Sequence, residues 1–173
     1  MRFKFLSVLA AVALLAACET APESSGNAQS SGASSTTTST SNAATSAVQI
    51  QPGSQEDLVV NVGDRVFFGF DSADLSAEAR TALEKQAAWM KKFGGVRVVN
   101  EGHCDERGTR EYNLALGERR ANASKDYLVA LGINPARIKT ISFGKERPAA
   151  LGHNEAAWAQ NRRAVTVVDS AGS

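Results

Sequence analysis

Apolar residues are distributed unevenly along the chain, and their pattern divides it into three parts. The first part is an almost unbroken apolar run from Phe5 to Ala17. The second, residues 19–56, consists mainly of Ser, Thr, Ala, Gly, Asn and Gln, with almost no large apolar side chain. In the third part, from Leu58 to Val168, short apolar stretches alternate with polar ones, which is typical of a folded domain. Its length is that of one ordinary domain.

The third part predicts strands that alternate with helices. A helix should begin after the N-cap Ser76 and run to Phe93, and a longer one should follow between Glu111 and Leu131. A short helix through Trp158 is predicted as well. The predicted strands are Leu58–Val62, Arg65–Phe68, Val96–Asn100, Ile138–Ser142 and Ala164–Val168. This alternation in a small domain predicts an α/β (α+β) sandwich, in which a mixed β-sheet carries the helices on one face.

The N-terminal apolar run has the layout of a bacterial secretory signal. Arg2 and Lys4 precede it, and it is shorter than the roughly 20 residues that a transmembrane helix needs. The run ends in Leu-Ala-Ala-Cys, so that Cys18 would become the new N-terminus and a lipidation site after cleavage. We therefore predict a cleaved signal peptide at residues 1–17 and a lipid-anchored protein outside the cytoplasm.

Residues 18–57 are predicted to form a disordered tether between the lipid anchor and the domain. The segment cannot bury enough apolar surface to offset the entropy lost on ordering. A Ser/Gly/Thr-rich tether of roughly 38 residues has a root-mean-square span of about 35 Å. The folded domain is assigned to residues 58–168, and residues 169–173 are assigned to a tail.

Charge and cysteine content narrow the possible functions. The chain has 19 basic and 18 acidic residues. Loss of residues 1–17 removes two basic residues and no acidic one, which leaves 17 basic and 18 acidic residues and a net charge of −1. A near-neutral protein lacks the positive field that holds nucleic acid, so nucleic-acid binding is not expected. With Cys18 lipidated, Cys104 has no partner for an intramolecular disulfide.

The densest polar cluster is Gly102–Thr109, between a predicted strand and the long helix, a position where α/β proteins bind ligands. Asp105 lies in this cluster, Asp71 follows another strand, and Arg120 lies close to the apolar stripe of the long helix. We expect the three side chains to meet at one rim of the sheet. They could hold an amino-acid-like head group, with the arginine on its carboxylate and the aspartates on its ammonium. The commoner arrangement in proteins is an internal network of ion pairs.

A metal site and a hydrolase site are the other interpretations of these residues. His103, Cys104, Asp105 and Glu106 are adjacent, but neighbours on an extended chain point in opposite directions and no second close-spaced Cys/His pair follows. No metal or cofactor is therefore expected. Asp71 and Asp105 could act as the paired carboxylates of a glycan hydrolase. An arginine beside them would keep both ionised, which removes the protonated acid that hydrolysis needs. We therefore predict that the protein is not an enzyme.

Three further expectations concern residues around the cluster. His103 is expected to orient the loop through hydrogen bonds. Trp158 is expected in the core or at the rim of its helix. Asn161–Arg163, before the last strand, is expected on the surface, where it would either contribute to a partner interface or remain solvated.

Four motifs within residues 58–168 carry a resemblance to a known family. They are the run Gly102–Ala123, the F-x-F-D sequence at Phe68–Asp71, and the segments Phe143–Trp158 and Asn161–Val165. With the Cys18 motif and the tether, they closely resemble the peptidoglycan-associated lipoproteins, a family whose folded part is an OmpA-like C-terminal domain. The resemblance covers essentially the whole predicted domain.

The resemblance implies non-covalent binding of the meso-diaminopimelate residue of peptidoglycan stem peptides. The site residues that it implies are Phe70, Asp71, Asp105, Arg107, Leu116 and Arg120. Asp71 and Asp105 would hold the polar head of the ligand, with Asp105 on its ammonium. Arg120 would bind its carboxylate. The other three residues would line the same pocket.

The resemblance also implies partners and a location. It implies TolB and the other Tol-Pal components as partners, and a protein that tethers the outer membrane to the cell wall in envelope integrity and cell division. Glu19 after the lipidated cysteine favours sorting to the outer membrane, with the domain facing the periplasm. Two alternatives to the tether remain: a peptidoglycan hydrolase, and a protein-partner module of the Tol system with little wall binding.

Overall fold

The computed structural model describes residues 49–169, which form four helices and four strands. In chain order they are α1 (Gln55–Asn61), β1 (Arg65–Phe67), α2 (Ala77–Lys92), β2 (Val98–His103), α3 (Arg110–Ala130), β3 (Ile138–Gly144), α4 (Glu155–Asn161) and β4 (Arg163–Val168), with a 3-10 turn at Pro135–Arg137 before β3. The predicted signal peptide, the lipidation site Cys18 and most of the tether lie outside the described residues. Among residues 49–169, none of the helices is long and apolar enough to cross a membrane.

The strands form one mixed sheet in the order β1-β4-β2-β3. β2 pairs in parallel with β3, and β4 pairs antiparallel with both β1 and β2. Leu83, Met90 and Leu128 of α2 and α3 pack against the buried face of the sheet, together with Val66 and Val98. This architecture confirms the predicted α/β sandwich with a mixed sheet.

Side-chain caps fix the first residues of helices α2, α3 and α4. Ser76 accepts a hydrogen bond from the backbone N–H of Ala79 at the start of α2. Thr109 caps α3 and Asn154 caps α4 in the same way. Each cap satisfies one of the backbone N–H groups that a helix N-terminus leaves without a partner. The cap predicted at Ser76 is confirmed.

The strand predicted at Leu58–Val62 is wrong, because residues 58–61 belong to helix α1 and Val62 is its C-cap. Ser54 caps this helix, and Asp57 in its first turn accepts hydrogen bonds from the backbone N–H of Gly53 and the indole N–H of Trp89. Leu58 is fully buried in the core. The helix begins at Gln55, so it includes three residues that the sequence assigned to the tether.

Two glycines bring α3 into backbone contact with β2. A Cβ atom on Gly102 would lie 1.8 Å from the carbonyl oxygen of Gly117, which no rotamer could relieve because the obstacle is backbone. This close approach sets the position of α3 against the strand that leads into the Gly102–Thr109 cluster. The loop between β2 and α3 is thereby held at one end of the sheet.

We expect Gly102→Ala to destabilise the protein by about 1–3 kcal/mol, because the added methyl group forces α3 away from β2. Urea unfolding of the full-length protein measures the change. Gly95→Ala is the matched control, since nothing lies within 4 Å of a Cβ atom at that position. Equal stability of the two variants would contradict the close contact.

Candidate ligand-binding site

A cavity of about 150 Å³ lies where β1 and β2 end and α3 begins. Its lining residues are Phe70, Asp71, Cys104, Asp105, Arg107, Gly108, Tyr112, Asn113, Leu116 and Arg120. All six residues named from the sequence as candidate site residues are among them. Asp71, Asp105 and Arg120 therefore line one cavity at one rim of the sheet, as expected from the sequence.

Three segments supply the cavity wall. Phe70 and Asp71 follow β1, and Asp71 has a φ of 51°, in the left-handed region that few residues other than glycine adopt. Asp105 and Arg107 belong to the loop between β2 and α3. Leu116 and Arg120 lie on one face of α3, because residues four apart on a helix are neighbours.

The Asp105 carboxylate is buried and carries two arginine partners. Its Oδ1 accepts hydrogen bonds from the backbone N–H and from Nε of Arg107, both at 3.1 Å. Its Oδ2 lies 2.6 Å from Nη2 of Arg107 and 3.5 Å from Nη1 of Arg162. Burial works to raise the pKa of Asp105, but the hydrogen bonds from Arg107 and Arg162 outweigh it and leave the pKa below its ordinary value. Asp105 is therefore a carboxylate anion at neutral pH.

Arg120 is fully buried, and its hydrogen bonds go to backbone carbonyls. Nε donates to Ser72 O at 2.8 Å, Nη1 to His103 O at 2.9 Å and Nη2 to Gly69 O at 3.0 Å. Within residues 49–169 no ion pair joins Arg120 to Asp71 or Asp105, so the internal network considered from the sequence does not include it. Burial lowers the pKa of Arg120, yet a guanidinium stays protonated. Its five N–H donors exceed the three carbonyls that it binds.

Three residues that support the site were not predicted as site residues from the sequence. Tyr112 lines the cavity, and its hydroxyl group donates a hydrogen bond to the Asp71 carboxylate. Trp158 stacks on the Arg107 guanidinium at 4.0 Å from ring centroid to Cζ. Arg162 is buried beside Asp105. The aromatic residues carried no periodic signal. Tyr112 lies in the first turn of α3, where its backbone N–H donates to the cap Thr109.

The expectation that Asn161–Arg163 lies on the surface is wrong, since all three side chains are buried. Asn161 accepts hydrogen bonds from the backbone N–H groups of Ala149 and Ala150 and so fixes the loop before α4. Arg162 donates to Phe68 O at 3.1 Å and to Glu155 at 2.5 Å. These hydrogen bonds compensate Asn161 and Arg162 for the loss of water on burial.

The expectation that hydrogen bonds hold His103 is not confirmed. Its ring is buried, and neither ring nitrogen makes a hydrogen bond of ordinary geometry to residues 49–169, although the backbone of Arg147 lies close enough to act on its pKa. The nearest carboxylate oxygen, on Glu101, is 3.6 Å from Nε2, which is too long for a hydrogen bond. The ring stacks on Phe143 with centroids 5.5 Å apart. Burial and the charges of Arg163 and Arg147 lower the pKa of His103 from 6.5 to about 4, so the imidazole is neutral.

Cys104 and the neighbouring acids do not form a metal or nucleophile arrangement in the part of the chain that the structure describes. No group of three or more His, Cys, Asp or Glu side chains within residues 49–169 could hold a metal ion. Cys104 is buried, and its Sγ donates to Asn113 O at 3.3 Å. Burial raises the pKa of the thiol, which keeps it protonated.

The similarity of this chain to known proteins lies in the same domain. Residues 67–162 match the OmpA family. Two proteins named peptidoglycan-associated lipoprotein match over 122 residues: one from Mesorhizobium japonicum is 55% identical, covering 70% of this chain and 73% of the relative, and one from Rhizobium meliloti is 56% identical, covering 70% and 69%. The crystal structure of the peptidoglycan-associated lipoprotein from Burkholderia pseudomallei is 44% identical with a TM-score of 0.60, over 61% of this chain and 90% of that one. The chain therefore belongs to the peptidoglycan-associated lipoproteins of the OmpA family.

Proposed function

We propose that this protein binds peptidoglycan non-covalently through the diaminopimelate residue of stem peptides. The observation that carries the proposal is that one cavity is lined by Asp71, Asp105 and Arg120, two carboxylates and a guanidinium. Such a site complements a zwitterion, because each charged end of the ligand meets the opposite charge. The relatives are named peptidoglycan-associated lipoproteins, which supports peptidoglycan as the source of the ligand.

Each group of a diaminopimelate head has a partner in this proposal. The ammonium binds Asp105, with Asp71 on the open side of the cavity. The carboxylate binds the N–H groups of Arg120 that the three backbone carbonyls leave over. Phe70 and Leu116 line the cavity beside the methylene chain of the ligand, and Arg107 lies at the same wall. The aspartates and the arginine thus give selectivity for a zwitterion over a simple cation or anion.

Binding without catalysis is the favoured alternative to hydrolysis. A glycan hydrolase needs one carboxyl group that stays protonated near neutral pH. The lowered pKa of Asp105 opposes that role. The raised pKa of the Cys104 thiol likewise opposes a role as nucleophile.

The proposed cellular role is that of a tether between the outer membrane and the cell wall. Lipidation at Cys18 would anchor the chain, and the segment up to residue 54, before α1, would span the distance to the wall. A single pocket would bind modestly, since one charge-assisted hydrogen bond contributes about 1.5–3 kcal/mol. The dense array of identical stem peptides would retain the protein by rebinding. TolB and other Tol-Pal components are the proposed protein partners.

Sedimentation with purified sacculi tests the proposed function. We expect Asp105→Asn in the full-length protein to weaken retention by roughly ten- to hundredfold, because the ligand ammonium loses its buried anion. Asp71→Asn should weaken retention to a smaller extent. Asp74→Asn, an exposed acid in the same loop as Asp71, is the matched control and should bind like the unaltered protein. Circular dichroism verifies that each variant is folded.

Other outcomes would favour the alternatives. Unchanged retention of both folded variants at Asp71 and Asp105 would contradict the pocket assignment. Release of soluble fragments from the sacculi would indicate a hydrolase. Weak retention of the unaltered protein, with TolB binding preserved in Asp105→Asn, would indicate a partner module of the Tol system.

A further inference from the structure

The Asp105 carboxylate, which is proposed to bind the ligand ammonium, already pairs with a side chain of the protein. Arg107 contacts both oxygens of Asp105, through Nε at 3.1 Å and Nη2 at 2.6 Å. This is the two-pronged geometry in which a guanidinium binds a carboxylate most strongly. The two Asp105 oxygens together accept four N–H groups, three from Arg107 and one from Arg162, which takes up the roughly four lone-pair sites of a carboxylate. A ligand ammonium can therefore bind these oxygens only if one of those donors leaves.

The second arginine at Asp105 is fixed, which makes Arg107 the exchangeable partner. Arg162 has a side chain that is 8% exposed and is held by Phe68 O and Glu155. Its Nη1 is 3.5 Å from Asp105, at the outer limit for a hydrogen bond. The Arg107 side chain is 32% exposed and belongs to a loop. Arg162 would therefore continue to balance the charge of Asp105 after Arg107 had moved away.

Two aromatic rings hold Arg107 in this position. Its guanidinium lies 4.2 Å from the ring centroid of Phe70 and 4.0 Å from that of Trp158, within the range of cation–π attraction. Trp158 is itself fixed on its far side, because its indole N–H donates to Glu106 Oε1 at 2.9 Å. His153 contacts the same carboxylate at 2.7 Å. Trp158 is thus a rigid support for the arginine.

The cavity is open to solvent on one side, but it is small. Its volume of about 150 Å³ is below the roughly 300–1,000 Å³ that ligand pockets usually have. Arg107 and Phe70 are part of its wall. Movement of the guanidinium away from Asp105 would enlarge the space at the carboxylate that is to receive the ligand.

We propose that Arg107 is a resident cation which the ligand ammonium must displace from Asp105, and that Trp158 is the positioning residue that sets how readily this exchange occurs. The proposal rests on the proposed function and adds to it a competition within the site. The apparent affinity is the intrinsic affinity multiplied by the fraction of molecules in which Asp105 is free. A weaker hold on Arg107 therefore raises the affinity for ligands that carry the ammonium.

Calorimetric titration of the full-length protein with a synthetic L-Ala-D-Glu-meso-diaminopimelate tripeptide tests this exchange. We expect Trp158→Leu to bind the tripeptide about two- to tenfold more tightly than the unaltered protein, because one of the two rings that hold Arg107 is lost. Trp158→Phe keeps an aromatic face for the guanidinium and should restore an affinity close to that of the unaltered protein. A tripeptide whose free diaminopimelate amino group is acetylated cannot displace Arg107 and should gain nothing from Trp158→Leu.

A second measurement follows Arg107 directly. The Nε–H resonance of Arg107 should be protected from solvent exchange in the free protein, since it donates to Asp105, and should lose that protection on addition of the tripeptide. In Trp158→Leu the protection should be reduced before any ligand is added. Equal or weaker binding by folded Trp158→Leu, or an Nε–H that stays protected in the complex, would overturn the exchange. Failure of the unaltered protein to bind the tripeptide would instead contradict the proposed function.

Discussion

Replacement of Arg120 by methionine is expected to destabilise the protein by about 3–5 kcal/mol, whether or not a ligand is present. The guanidinium donates to the backbone carbonyls of Gly69, Ser72 and His103. Gly69 and Ser72 belong to the loop after β1, and His103 is the last residue of β2. A buried acceptor that loses its donor costs about 1–3 kcal/mol, and methionine fills the volume without replacing a donor. Arg120 therefore joins the loop after β1 to the end of β2.

Urea unfolding of the full-length protein measures this loss. Arg119→Met is the matched control, because the neighbouring arginine is exposed on the same helix, and we expect its effect to stay within about 0.5 kcal/mol. If Arg120→Met unfolded at the same urea concentration as Arg119→Met, the carbonyl contacts would contribute no stability. A loss of peptidoglycan binding in an Arg120 variant cannot by itself identify a ligand contact, which is why the binding test uses Asp105 and Asp71.

The elements next to strong local signals were predictable from the sequence. Ser76 is followed by a helical stripe and Gly94-Gly95, and the helix begins and ends there within one or two residues. Helix α1 was not predictable in the same way. Leu58, Val59 and Val60 form an apolar run with two β-branched residues, which favours a strand. The contact that supports the helix instead joins Asp57 to Trp89, 32 residues later. The local sequence pattern gives no sign of this contact, because its two residues are far apart along the chain.

The candidate site was predictable in its location and only partly in its connections. Asp71 and Asp105 each follow a strand, so their approach to one another follows from the sheet. The contact of Asp105 with Arg162 does not follow from the sheet, because Arg162 is 57 residues away along the chain. Asn161-Arg162-Arg163 has the composition of a solvated segment, and only the tertiary structure provides the carbonyls and the carboxylates that allow these side chains to be buried.

The buried histidine beside the site predicts a loss of stability in acid. Burial lowers the pKa of His103 from 6.5 to about 4, and the positive charges of Arg163, Arg147 and Arg65 act in the same direction. Glu101 is the facing acid, at 3.6 Å. Because the unfolded chain binds the proton more readily, the contribution of neutral His103 is complete above pH 6.5 and is lost as the pH falls from 6.5 towards 4. The expected loss between pH 7 and pH 4 is about 2–3 kcal/mol.

Unfolding of the full-length protein in urea at pH 7 and at pH 4 separates this contribution from that of the carboxylates. The unaltered protein should lose stability from both sources, since Asp105 also has a lowered pKa. His103→Leu should lose less by about 2–3 kcal/mol, because it has no imidazole to protonate at the buried position. His153→Leu is the control at a histidine whose side chain is 86% exposed, and it should retain most of the acid loss. An acid loss in His103→Leu as large as in the unaltered protein would show that protonation of this ring does not oppose folding, and the destabilisation would then belong to the carboxylates.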